Sequence, residues 1–102
     1  SFKKGYIIYI FNNGGNMINL NEREWKALSQ VSGEAFRIYV AICFFLPENQ
    51  TVCDPQHSEI CELLGRKYDK SGVRKLTKQL KKQGLISRFE ERNIWYYKTN
   101  LR

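Results

Sequence analysis

Residues 35–46 read Ala-Phe-Arg-Ile-Tyr-Val-Ala-Ile-Cys-Phe-Phe-Leu, an apolar stretch broken only by Arg37. A helix that is apolar almost all the way round has no solvent face, so it lies at the centre of its fold. Ser32, Gly33 and Glu34 restart the chain ahead of it. Pro47 ends it, because proline cannot continue a helix. At 102 residues the chain allows one domain with at most a short extension, wrapped around this segment. The apolar fraction of 42% supplies a single small core, and 26% charged residues with 14% aromatics exclude a disordered chain. No apolar run approaches the roughly 20 residues of a membrane span. The run at 6–11 behind Lys3 and Lys4 is too short for a signal peptide, and no small-residue cleavage site follows it.

The flanking segments have shorter periods. Residues 6–11 are β-branched and aromatic, as in a strand, and residues 12–16 (Asn-Asn-Gly-Gly-Asn) tolerate positive φ before Met17 to Leu20 resume. This predicts an N-terminal β-hairpin extension over residues 1–20, ahead of a domain over 21–102. A strand that apolar does not stay bare in water, so the hairpin is expected to pair with a second subunit or within its own chain. Asn21 followed by Glu24 is a capping-box variant, and Trp25, Leu28 and Val31 recur at helical spacing, so a helix is predicted near 22–31. Residues 48–55 form a loop in which Thr51, Val52 and Cys53 can add a short strand. Ser58 is expected to cap a helix carrying Ile60, Leu63 and Leu64, stopped by Gly65. After a turn at 66–69, Asp69 or Ser71 caps a helix over about 70–83 whose apolar positions are Val73, Leu76 and Leu80, closed by Gly84. Leu85 and Ile86 lead into a strand to about 89, residues 90–93 turn, and 94–98 return as the partner strand. The predicted class is α+β, with three to four helices and a C-terminal β-hairpin.

Charge divides this chain unevenly. Residues 1–64 carry five basic and seven acidic side chains, net −2, whereas residues 65–102 carry twelve basic and three acidic, net +9. Such a patch attracts phosphate backbones or anionic lipid by the same physics. It concentrates on the helix over 70–83, where Lys70, Arg74, Lys78 and Lys81 form one ridge and Lys75 and Lys82 a second. Like charges four apart destabilise a helix by a few tenths of a kcal/mol per pair, a repulsion that an anionic partner offsets. The bland alternative is a solvated basic face. A membrane-binding helix is disfavoured, because the apolar stripe has core width and carries no Trp or Phe.

The order helix, turn, basic helix, hairpin resembles the winged helix-turn-helix superfamily of DNA-binding domains. The resemblance covers roughly residues 32–99. It rests on Val73, Leu76 and Leu80 followed by Gly84-Leu85-Ile86, and on Ser58-Glu59-Ile60-Cys61-Glu62-Leu63-Leu64-Gly65 for the preceding helix. One departure is the seven residues between Gly65 and Val73, a longer turn than is usual in the family. The resemblance implies that the helix over 70–83 enters the major groove. It makes Lys70, Ser71 and Arg74 candidates for base edges, because Arg offers guanine a bidentate fork and Ser both donates and accepts. Lys67, Lys75 and Lys78 are then phosphate contacts, and the hairpin tip, Arg92 and Asn93, reaches a minor groove or flanking backbone. Lys82 is expected to be solvated.

Phe89, Trp95, Tyr96 and Tyr97 are assigned mainly to packing, like Phe36, Tyr39, Phe44 and Phe45, although hairpin aromatics also stack on unpaired bases in single-strand binders. The odd set Cys43, Cys53 and Cys61 suits a reducing cytoplasm better than a disulfide framework. Cys53, His57 and Cys61 sketch a zinc site, but no Cys-x-x-Cys pair supports it, so no metal is expected. One histidine, no Gly-rich phosphate loop and no clustered carboxylates leave no parts for catalysis. The expectation is therefore a cytoplasmic, non-enzymatic double-stranded DNA-binding protein, a sequence-specific transcriptional regulator acting as a homodimer. No cofactor, small-molecule ligand or membrane partner is expected. The alternatives are a replication-initiation or partition domain of a plasmid or phage, and a winged-helix protein-interaction module.

Overall fold

The computed structural model describes residues 5–9 and 17–102, with side chains from Ile18 onward. Its centre is helix α2 (Gly33–Phe44), which buries Ala35, Ile38, Tyr39, Val40, Ala41, Ile42 and Cys43 and leaves Arg37 exposed. Ser32 caps it, its Oγ accepting from the Ala35 N–H at 3.2 Å. Phe36, Phe44 and Phe45 are half-buried at the rim of the core, not inside it as expected.

Strands β1 (Gly5–Tyr9) and β2 (Met17–Asn21) pair antiparallel, with Tyr6 opposite Leu20 and Ile8 opposite Ile18. The turn expected at 12–16 lies outside the described residues. Ile18 and Leu20 are buried in the same core as α2. Helix α1 (Glu22–Leu28) starts at the capping box: Asn21 Oδ1 accepts from the Glu24 N–H at 2.8 Å and Glu24 Oε1 accepts from the Asn21 N–H at 3.0 Å. It ends at Leu28, short of the expected residue 31. The Ser29 hydroxyl donates to the Lys26 carbonyl at 2.6 Å, competing for backbone in the way that makes serine a weak helix interior residue.

Strand β3 (Val52–Cys53) joins the C-terminal strands β4 (Ile86–Glu91) and β5 (Ile94–Thr99) in an antiparallel sheet of order β3-β5-β4. Helices α3 (His57–Leu64) and α4 (Lys70–Lys82) complete a small compact α+β domain of four helices. Helix α3 begins one residue before Ser58, so Ser58 is not its cap. Gln56 holds that position, and the Glu59 carboxylate accepts from the Gln56 N–H at 2.8 Å. Helix α4 closes as a Schellman motif: Gly84 is left-handed at φ 75°, Gly84 N–H bonds the Lys81 carbonyl at 3.0 Å and Leu85 N–H bonds the Leu80 carbonyl at 3.0 Å. The hairpin runs two residues further than expected on β4, and its turn is only Arg92-Asn93, with φ 53° and 65°. Two left-handed residues make the turn whose twist matches that of the strands, so a four-residue loop is not needed.

A buried carboxylate ties the chain's two halves together. Glu24, 1% exposed, accepts from the Tyr39 hydroxyl and pairs with Arg102 Nη1 at 3.1 Å. Asn21 Nδ2 donates to the Leu101 carbonyl at 2.7 Å. Burial pushes the neighbouring Cys43 thiol up to about 12, and likewise the buried Cys53 thiol. Among the described residues, no helix is long and apolar enough to cross a membrane, and no group of three or more His, Cys, Asp or Glu is placed to hold a metal ion.

Candidate nucleic-acid interface

The site is built on α4, and its start is fixed on both sides. Asp69 caps the helix: its Oδ1 accepts from the Gly72 N–H at 2.6 Å and from the Ser71 hydroxyl at 3.0 Å. These two donors, the Gly72 N–H first, hold the Asp69 carboxyl below the usual carboxylate range. A Cβ on residue 72 would stand 2.9 Å from Asp69 Oδ1, so glycine lets the cap close. The turn before it is pinned to α2, because the Tyr68 hydroxyl and the Arg66 guanidinium both donate to the Glu34 carboxylate. The Tyr68 hydroxyl, then Arg66, lower the Glu34 carboxyl against the opposing effect of burial. Further along, Gln79 Oε1 accepts from the Ser32 N–H at 2.9 Å and Gln79 Nε2 donates to Ser32 Oγ at 3.2 Å. The α4 axis is thus held to the N-terminus of α2.

Val73, Thr77 and Leu80 are the buried residues of α4; Leu76, expected in the stripe, is only half-buried. The buried Thr77 hydroxyl is satisfied by the Arg74 carbonyl at 3.1 Å. All six cations of α4, Lys70, Arg74, Lys75, Lys78, Lys81 and Lys82, are exposed. The ion pairs among the described residues are Lys26–Glu22, Arg66–Glu34 and Arg102–Glu24, so no α4 cation has a carboxylate within salt-bridge distance there.

The cations divide into two faces. At roughly 100° per residue, Lys70, Arg74 and Lys81 fall on one side, whereas Ser71, Lys75, Lys78 and Lys82 fall on the next. The first group lines an open trench of about 1030 Å³ between α4, the start of α3 and the β4-β5 hairpin; Lys78 does not join it. The ridge read from the sequence is therefore split. Of the candidate residues, Lys70, Arg74 and Asn93 line the trench, while Ser71, Lys75 and Lys78 face outward on α4. Lys67 is exposed in the preceding turn and Arg92 at the hairpin tip, and neither lines the trench.

The lining also holds Lys81, Arg88 and Trp95, which were not among the sequence candidates. Trp95 is 52% exposed, against its expected place in packing. Tyr97 alone of the four hairpin aromatics is buried; Phe89 and Tyr96 stack on each other with centroids 5.1 Å apart, half-buried. Burial falls along both strands toward the turn, so the strand face that buries Thr99 and Tyr97 leaves Trp95 exposed. Arg88, opposite Tyr97 in the register, lies 4.3 Å from the Tyr97 ring centroid and 5.3 Å from that of Trp95. Its Nε is buried without a hydrogen-bond partner. Asp54 is the only acidic residue in the lining.

Cys61 Sγ lies 3.7 Å from His57 Nε2, so the sketched Cys-His pair does meet across one helix face, but Cys53 is buried against the Ile42 carbonyl at 3.5 Å. No family model matches the chain, and no match is found among curated proteins or among solved structures.

Proposed function

We propose that this protein is a winged helix-turn-helix domain that binds double-stranded DNA, with α4 as the recognition helix in the major groove and the β4-β5 hairpin as the wing. The observation that carries the reading is the unneutralised charge of α4 on both of its exposed faces. Six exposed cations sit on one capped helix with no carboxylate at salt-bridge distance among the described residues. A face left unneutralised within its own fold is matched to a polyanion. The order α3, turn, α4, hairpin supports the winged-helix assignment. Lys70, Ser71 and Arg74 occupy the first turns of α4, where base edges are read, and Lys67, Lys75 and Lys78 hold phosphates. Arg92 and Asn93 belong to the flanking contact.

The reading includes a sequence-specific transcriptional regulator acting as a homodimer in the cytoplasm through the apolar β1-β2 hairpin, without enzymatic activity or a bound cofactor. Selection from a randomised duplex pool at near-physiological salt tests it. The expected product is an inverted repeat with half-sites about one helical turn, roughly 34 Å, apart. With about five phosphate contacts per subunit, log K should fall with log salt at a slope near −4.5 per subunit. The double charge reversal Arg74→Glu with Lys75→Glu abolishes retention on this reading. Survival of duplex binding in that variant removes α4 from the interface, and a monomer by light scattering at micromolar concentration removes the dimer.

A further inference from the structure

The trench is distinct from the outward face of α4 and calls for a different ligand geometry. Its walls carry Lys70, Arg74, Lys81 and Arg88 against the single acid Asp54, so it is strongly cationic. Its rim carries Trp95, an aromatic face with 52% of its surface in water. Beside Trp95 lies Arg88, a half-buried cation packed against the Trp95 and Tyr97 rings, with no ion pair among the described residues and a buried Nε that has no acceptor among them. A half-buried guanidinium that has no carboxylate partner among the described residues is stabilised by an anionic group such as a phosphate. The ligand chemistry is therefore anionic oxygens beside a flat π surface, which is the chemistry of a nucleotide. The volume of about 1030 Å³ lies at the upper end of small-ligand pockets, roughly 300–1,000 Å³. That volume accommodates more than one linked nucleotide. Bases in an intact duplex stack on each other and have no free face for Trp95, whereas an unpaired base has one.

We propose that the trench binds a single unpaired DNA strand, with phosphates on Lys81 and Arg88 and a base stacked on Trp95, so that the protein's preferred target is a duplex carrying an unpaired segment. The proposal rests on the duplex-binding reading, because the strand enters the trench from a duplex seated on the first turns and outward face of α4.

The test compares the dissociation constant for a blunt duplex with that for the same duplex bearing a short oligo-dT tail, at near-physiological salt. For the unaltered chain the tail should tighten binding by about tenfold, within the range measured for one base stacked on an aromatic side chain. Trp95→Ala should lose that gain and Trp95→Phe should keep most of it. In a Trp25→Phe background, Trp95 emission should be quenched by the tailed duplex more than by the blunt one. Equal affinity for both DNAs, or an equal gain in Trp95→Ala, overturns the trench assignment and leaves the duplex reading standing. Binding of free oligo-dT with no binding to blunt duplex overturns the duplex reading and, with it, the preference for a strand carried on a duplex. Failure of every probe overturns both.

Discussion

Helices α2 and α4 are almost the same length, 12 and 13 residues, and they pack against each other, yet they are opposites in what they give to the fold. Helix α2 buries seven residues and carries a single basic side chain, Arg37. Helix α4 buries three and carries six exposed cations. Transfer of apolar surface out of water scales with buried area, so stability is concentrated in α2, whereas α4 contributes one stripe and leaves its six cations exposed. The contrast teaches that the domain assigns core-building and the display of charge to different helices. The core can be changed without touching the charged face, and the charged face without touching the core.

Three substitutions sharpen or break this separation. The largest effect is expected from Ile38→Ala, at a position with no solvent exposure on α2. It should cost about 2–5 kcal/mol in denaturant unfolding, a large share of the roughly 5–15 kcal/mol of a small domain. DNA affinity per folded molecule should stay unchanged; a parallel loss of affinity would show that the two tasks are coupled. Ser32→Ala is next. It removes the α2 cap and the oxygen that receives Gln79 Nε2, and should lower stability by about 1 kcal/mol with a change in α4 amide exchange as its signature. Protection lost in α2 alone would show that Gln79 does not hold the two helices in register. The smallest effect belongs to Asp69→Ala, and its sign with pH is fixed. The Asp69 carboxyl is held below its ordinary 3.8 by the Gly72 N–H, then by Ser71. Its stabilisation is therefore fully present above that value and is lost as pH falls through the lowered one. The stability difference between Asp69→Ala and the parent should shrink on acidification, as read by thermal unfolding across pH 2–5, about the range of carboxylate titration. A pH-independent difference would assign the effect to helix propensity alone.

What the sequence made legible follows from the range over which each signal acts. The position of α2, the Asn21–Glu24 box and the closure at Gly84 were all readable, because each rests on residues within a few positions of one another. Asp69 and Ser71 were both admissible caps, and the structure gives the role to Asp69 while Ser71 donates to it. The early end of α1 at Ser29 was misread because Trp25, Leu28 and Val31 keep helical spacing past the real terminus. Side-chain competition for a carbonyl leaves no periodic trace. At the candidate site, the cations of α4 were legible one by one, but their division between trench and outer face was not. That division depends on where the hairpin stands beside the helix. Lys81 did fall on the Lys70–Arg74 ridge, so its signal was available. For Arg88 and Trp95, strand alternation places them on the face of Tyr97, yet nothing local says that burial on that face ends before Trp95. The Glu24–Arg102 pair spans 78 positions and had no sequence signal at all.

That long-range tie bears on the order of events during synthesis. In translation Glu24 precedes Arg102 by 78 positions, so a carboxylate destined for the interior waits for its cation. Until then Glu24 must stay hydrated, since an unpaired charge is not buried in an apolar core. The corner formed by β2, α1 and α2 therefore cannot seal before residue 102 has been made, however complete α2 already is. Closure of the domain brings together segments from its first third and residues 101–102 in one event.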